Sequence, residues 1–110
     1  MAISPDDVKA VFEKMQSQFN PDRAAGVDAV IQVDLTGENE AHYWLKLNDG
    51  SLEMSEGQAE TANMTLIATA PDFVSIVNGE SNAMQAFMSG KLKVKGDMGL
   101  AMKLQPIFGL

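Results

Sequence analysis

The sequence contains no cysteine, which removes disulfides, thiolate nucleophiles and every cysteine-based metal site. It has a single histidine, His42, so a His-pair metal site and a two-histidine mechanism are excluded as well. Bases are scarce: eight Lys and Arg stand against fifteen Asp and Glu, for a net charge of −7. A phosphate backbone repels such a chain, so nucleic acid is not an expected partner. No window approaches the ~18 consecutive apolar residues that a membrane span needs. The opening Met-Ala-Ile-Ser-Pro-Asp-Asp lacks the basic and apolar regions of a secretory signal, and Phe108-Gly109-Leu110 is unlike the Ser-Lys-Leu peroxisomal address. A cytoplasmic location is therefore expected. The nucleotide-binding patterns G-x-G-x-x-G and G-x-x-x-x-G-K-[ST], and the hydrolase patterns G-x-S-x-G and Ser-x-x-Lys, do not occur.

What is present is 110 residues with 45% hydrophobic content, enough for one core. Folding such a chain buries roughly 65% of the surface its unfolded form exposes. No repeat, linker or low-complexity tract divides it, so residues 1–110 are read as one domain. The charge is uneven. Residues 1–85 carry four bases against fourteen acids, a net of −10, whereas residues 86–110 carry Lys91, Lys93, Lys95 and Lys103 against Asp97, a net of +3. Those lysines either contact an anionic head group or membrane surface, or protect an exposed strand edge.

Ser4 is placed as an N-cap, with Pro5 in the first turn and Asp6 and Asp7 complementing the helix dipole. Val8, Val11, Phe12, Met15 and Phe19 then fall within about 80° of one another at helical spacing, and Asn20-Pro21 stops the helix. Residues 21–26 are expected to make a short extra turn. Residues 29–35 alternate, with Ile31, Val33 and Leu35 on one face and Gln32 and Asp34 on the other. A turn at Thr36–Asn39 leads to a second strand over 41–47, and Asn48-Asp49-Gly50 signals a hairpin into a third over 51–55. A fourth strand over 63–69 extends what reads as a largely antiparallel meander. The period then changes to helical. Thr69, Pro71 and Asp72 open a short helix with Phe73, Val74, Ile76 and Val77, and Ser81 opens another with Met84, Ala86, Phe87 and Met88. Lys91–Lys95 is a strand with Leu92 and Val94 inward. Gly96 turns, Asp97 caps, and a last helix runs from Met98 towards Pro106. The class is α+β, one helical layer on one sheet.

The last helix is the most informative element. Leu100, Ala101, Leu104, Ile107 and Phe108 form one apolar sector, and Met98 with Met102 a second; together they span about 220°, far wider than the single stripe of a surface helix. Such a helix has two apolar clients. One is the sheet, and the other is a ligand, a membrane or a partner chain. Gln105 sits between the sectors, either as a structural hydrogen bonder or as the polar contact for a ligand. Met84 and Met88 repeat the i, i+4 spacing of Met98 and Met102. Unbranched, polarisable side chains fill core gaps, and they also suit a wall that must adapt to ligands of different shape. For catalysis little is available: His42, with Glu38, Glu40 and Asp34 nearby, is a conceivable metal or hydrolase residue, or part of a solvated hairpin face.

The segment from Phe87 to Gln105, Phe-Met-Ser-Gly-Lys-Leu-Lys-Val-Lys-Gly-Asp-Met-Gly-Leu-Ala-Met-Lys-Leu-Gln, closely resembles the C-terminal signature of the sterol carrier protein 2 family. The order of elements over the whole chain is similar too. The resemblance implies a five-stranded, mostly antiparallel mixed sheet covered on one face by helices, with an apolar tunnel between the layers. It also implies a non-enzymatic carrier of fatty acids, fatty acyl-CoAs, phospholipids or sterols, with no cofactor. The expected lining is Phe73, Val77, Met84, Phe87, Met88, Met98, Leu100, Met102, Leu104 and Phe108, with Gln105 as the polar contact. Lys91, Lys93, Lys95 and Lys103 would meet an anionic head group or, transiently, a membrane. A monomer or weak homodimer is expected. The alternative is an interaction module that uses the apolar last helix to dimerise or to dock on a lipid-metabolising enzyme.

Overall fold

A computed structural model describes residues 4–38 and 40–109; Met1–Ile3, Asn39 of the expected turn, and Leu110 lie outside the described residues. The chain runs α1 (Pro5–Gln18), β1 (Asp28–Thr36), β2 (Ala41–Asn48), β3 (Ser51–Glu56), β4 (Met64–Thr69), α2 (Ala70–Val77), α3 (Ala83–Met88), β5 (Leu92–Gly96) and α4 (Met98–Phe108). Ser4 caps α1 in a reciprocal capping box: its hydroxyl accepts from the Asp7 amide, and the Asp7 carboxylate accepts from the Ser4 amide. Val8, Val11, Phe12 and Met15 form the buried stripe, and Phe12 stacks on Tyr43 with ring centroids 3.8 Å apart. Residues 21–26 stay a series of turns rather than a helix, pinned where the fully buried Ala24 donates to Asn20 and Pro21 carbonyls.

The hairpin of β2 and β3 turns at Asp49 (φ 44°) and Gly50 (φ 88°), two left-handed residues in the arrangement that an Asp-Gly pair accommodates. The first three strands are the antiparallel meander the alternation implies, but β4 does not continue it. The sheet order is β3-β2-β1-β4-β5: β4 returns to pair parallel with β1, Ile31 opposite Met64 and Val33 opposite Leu66, and β5 lies antiparallel beside it. The register puts Ile31, Val33 and Leu35 in line with Leu45, Met64, Leu66 and Ala68, so the inner face is one apolar floor under the helices. Among the described residues the fold is a five-stranded mixed sheet with four helices.

Gln32 departs from its expected place on a solvated face. It is only 4% exposed, because residues 57–59 cross the outer face over it. Its amide Nε2 donates to the Gly57 carbonyl (3.0 Å) and to Asp34 Oδ1 (3.1 Å), and its Oε1 accepts from the Ala59 amide (2.8 Å). Burial of this amide is tolerated because both ends are satisfied.

Two helix boundaries also differ from expectation. Asn82, not Ser81, caps α3: its Oδ1 accepts from the amides of Met84 (2.8 Å) and Gln85 (3.2 Å), reaching two free donors at once. The last helix continues through Pro106 to Phe108. Proline lacks the amide that would bond back one turn. The helix nonetheless closes normally: Gly109, at φ 66°, donates to the Gln105 carbonyl, and Asn20 donates to the Ile107 carbonyl at 2.7 Å. Among the described residues no helix is long and apolar enough to cross a membrane.

Candidate functional site: an apolar cavity between sheet and helices

The two short helices and α4 do not close tightly on the sheet. Between the layers lies an open-mouthed cavity of about 220 Å³. Its floor is Ile31 and Val33 of β1, Leu45 of β2, Leu66 of β4 and Leu92 and Val94 of β5. Met15 of α1, Phe73 and Ile76 of α2, and Ala83, Met84 and Phe87 of α3 form further walls. The α4 contribution is Met98, Ala101, Met102, Leu104, Gln105 and Phe108. Gln105 is the one polar side chain in this set, half-buried between the two sectors of α4. A space of this character can hold an apolar chain and offer one amide to a polar group.

The two apolar sectors of α4 both reach the cavity and differ in burial. Leu100, Leu104, Ile107 and Phe108 are buried in the core, where Phe108 packs on Phe19 at 5.8 Å between ring centroids. Met98 and Met102 instead remain 45% and 66% exposed at the cavity. Asp97 holds the helix start by accepting from the Leu100 amide at 3.1 Å. Gly96 is packed so closely that a β-carbon there would sit 2.5 Å from the Asn63 carbonyl oxygen. The Asn63 carbonyl accepts from the Asp97 amide, and its side chain accepts from the Val30 amide at 2.9 Å. One asparagine thus ties β1, β4 and the strand–helix corner that presents Met98.

Of the residues expected from sequence, Phe73, Met84, Phe87, Met98, Met102, Leu104, Gln105 and Phe108 come together around the cavity. Three do not. Val77 and Leu100 are buried in the core without lining the cavity, and Met88 is 78% exposed without lining it. The sheet residues of the floor were legible only as core positions, since alternation marks a buried face without saying whether side chain or empty space lies above it. The four lysines are exposed but do not share one place. Lys93 and Lys95 alternate with Leu92 and Val94 on the edge strand β5, so they lie on the sheet face opposite the cavity. Lys103 lies on α4 and Lys91 just before β5.

His42 sits directly opposite Asp34 in the β1–β2 register. Its ring nitrogens lie 2.8 Å from Asp34 Oδ1 and 3.0 Å from Glu40 Oε1, the arrangement of an imidazolium donating to two carboxylates. The hydrogen bond to Asp34, then that to Glu40, holds its pKa above the ordinary 6.5. Among the described residues no three His, Asp or Glu side chains are placed to hold a metal ion.

The sequence matches the model of the SCP-2 sterol transfer family over residues 8–109. Among curated proteins it is 34% identical to hydroxysteroid dehydrogenase-like protein 2 of Xenopus tropicalis, a match that covers 93% of this chain and 25% of the other. The chain thus spans about a quarter of the length of that relative. Among solved structures it is similar to sterol carrier protein domain 2 of Helicoverpa armigera, with 26% identity, a TM-score of 0.72, and coverage of 96% of this chain and 89% of that one. The solution structure of palmitated sterol carrier protein 2-like 2 of Aedes aegypti shares the fold at 18% identity. There the TM-score is 0.76, with 100% of this chain and 96% of that one covered.

Proposed function

This chain belongs to the SCP-2 sterol transfer family, and from that premise we propose that it carries a lipid in the cavity between sheet and helices without reacting with it. The observation that carries the proposal is a cavity lined by apolar side chains and by one amide, Gln105. A volume of about 220 Å³ lies below the usual range for ligand pockets, ~300 to 1,000 Å³. Among fatty acids, acyl-CoAs, phospholipids and sterols, that favours a slender acyl chain, as does the palmitated state of the Aedes aegypti structure. The polar head group would meet Gln105, the one polar side chain of the lining, and Lys91, Lys93, Lys95 and Lys103 would act at longer range. Transient contact with an anionic membrane would use the basic C-terminal quarter. In this proposal the carrier exchanges its cargo in the cytoplasm, as a monomer or weak homodimer.

Native mass spectrometry of gently purified protein, followed by lipid extraction, tests this reading directly. A co-purifying fatty acid, acyl-CoA or phospholipid supports it; a clean apo mass that does not shift with added palmitate or palmitoyl-CoA refutes it. Met102→Glu should abolish binding in a folded protein, because a carboxylate would stand in an apolar wall.

A second reading draws on Met88, an apolar side chain 78% exposed at the end of α3, and on relatives in which the matching region is a quarter of a longer chain. There the α3–α4 face docks on a second copy or on a lipid-metabolising enzyme. Light scattering separates the two: a dimer whose mass ignores lipid favours docking.

A further inference from the structure

Among the described residues four methionines are exposed, and they cluster on two neighbouring helices: Met84 and Met88 on α3, Met98 and Met102 on α4. Three of them, Met84 (43% exposed), Met98 (45%) and Met102 (66%), are also walls of the cavity. Their sulfurs therefore belong to a surface that water-borne reagents reach and that an apolar ligand would touch. Met15 lines the same cavity but is only 3% exposed, and Met64 is fully buried in the sheet. Among the described residues the thioethers thus divide into the exposed ones of α3 and α4, the buried Met15 and Met64, and Met54, half-buried on β3.

We propose that Met84, Met98 and Met102 are sites of reversible oxidation by hydroperoxides, and that their sulfoxides weaken the hold of the cavity on its ligand. The inference rests on the carrier reading above. In the reaction the thioether sulfur attacks the terminal oxygen of the peroxide. The O–O bond breaks as the S–O bond forms, and the proton of the transferred hydroxyl passes to the departing oxygen. Sulfur loses two electrons and the peroxide gains two. Hydrogen peroxide leaves as water, and a lipid hydroperoxide as its alcohol. The flexible apolar side chain becomes a polar one, so seating an acyl chain against it then strips a strong hydrogen-bond acceptor of its water. The ligand is retained under reducing conditions and released under oxidising ones.

The experiment treats the intact protein with hydrogen peroxide, maps oxygen uptake by peptide mass spectrometry, and titrates palmitate before and after. One oxygen is expected on Met84, Met88, Met98 and Met102 before any on Met15 or Met64, with palmitate affinity falling about ten-fold or more. The variant carrying Met84→Leu, Met98→Leu and Met102→Leu should keep its affinity through the treatment. Met88→Leu should not, because Met88 is the most exposed of the four yet lies off the cavity. Methionine sulfoxide reductases should restore binding. Circular dichroism follows folding; should peroxide unfold the chain, the unoxidised Met102→Gln variant decides, and it should bind palmitate several-fold more weakly while folded. Undiminished affinity with all three rim sites oxidised, or a Met102→Gln variant that binds as the parent does, overturns the proposal. A clean apo protein that binds neither palmitate nor palmitoyl-CoA before peroxide is a different result: it overturns the carrier reading, and the oxidation proposal falls with it.

Discussion

Ala101 offers the sharpest test of whether the cavity is the binding site, because replacing it should move stability and affinity in opposite directions. It is half-buried, lines the cavity and faces the sheet from the middle of α4. At about 24 cal/mol per Å³, a void of about 220 Å³ forfeits at most about 5 kcal/mol of packing, less where water enters through the mouth. Ala101→Leu adds three carbon groups, each worth about 0.8 kcal/mol if buried, and leucine is nearly as good a helix former as alanine. Allowing for partial exposure, the gain is about 1–2 kcal/mol, or a rise in Tm of about 5–10 °C for a domain of this size. The same atoms occupy space that a ligand needs, so displacement of a fluorescent fatty acid should show affinity reduced about ten-fold. A stabilised variant with undiminished affinity would place the ligand elsewhere. A variant destabilised by about 1–3 kcal/mol would mean that the region is already full and that the leucine overpacks it.

Three further outcomes follow from contacts outside the cavity. Gln32→Leu should cost about 1–3 kcal/mol in urea unfolding, since the Gly57 carbonyl and Ala59 amide lose their buried partner; an unchanged midpoint would mean that water replaces it freely. Gly96→Ala should cost at least about 2 kcal/mol, because the new β-carbon meets the Asn63 carbonyl at 2.5 Å in a backbone at φ 97°; a wild-type melting curve would refute that packing. The folded state binds the His42 proton more tightly than the unfolded state, because Asp34 and Glu40 hold the pKa above 6.5. The contribution is therefore complete below about pH 6.5 and lost as the pH rises through the folded-state value. His42→Gln should flatten the stability profile above pH 6, and an identical profile in the variant would remove the imidazolium from the account.

The architecture was largely legible because its signals are local. Ser4-Pro5, Asp49-Gly50 and Asp97 each declare a cap or a turn within a few residues, and the alternation of β1 and β5 declares which face is inward. The departures arise where the deciding partner is distant in sequence. Gln32 reads as solvated until residues 57–59 are laid across it, and β4 reads as the next strand of a meander until it pairs with β1. Ser81 and Asn82 are equally plausible caps by type, and geometry decides between them. At the cavity, the apolar width of α4 announced a second client. Its methionines were legible as wall candidates for that reason, whereas Ile31, Val33, Leu45 and Leu66 looked like ordinary core. Leu100 and Val77 failed to reach the cavity because a helical wheel gives direction around one helix and not the position of its neighbours.

The parallel pairing of β1 with β4 has a consequence for how the molecule comes into being. The strands β1 to β3 are joined by short connections, so they can assemble from sequence-local contacts as soon as residue 56 is available. The centre of the sheet must wait for β4, whose pairing with β1 closes a much longer loop. The helices α2 to α4 and strand β5 come later still. Until β4 arrives, one edge of β1 is unpaired, and until the helices follow, Ile31, Val33 and Leu45, the future cavity floor, face water. A nascent or truncated chain is therefore most prone to self-association through the surface that the finished protein keeps for its cargo.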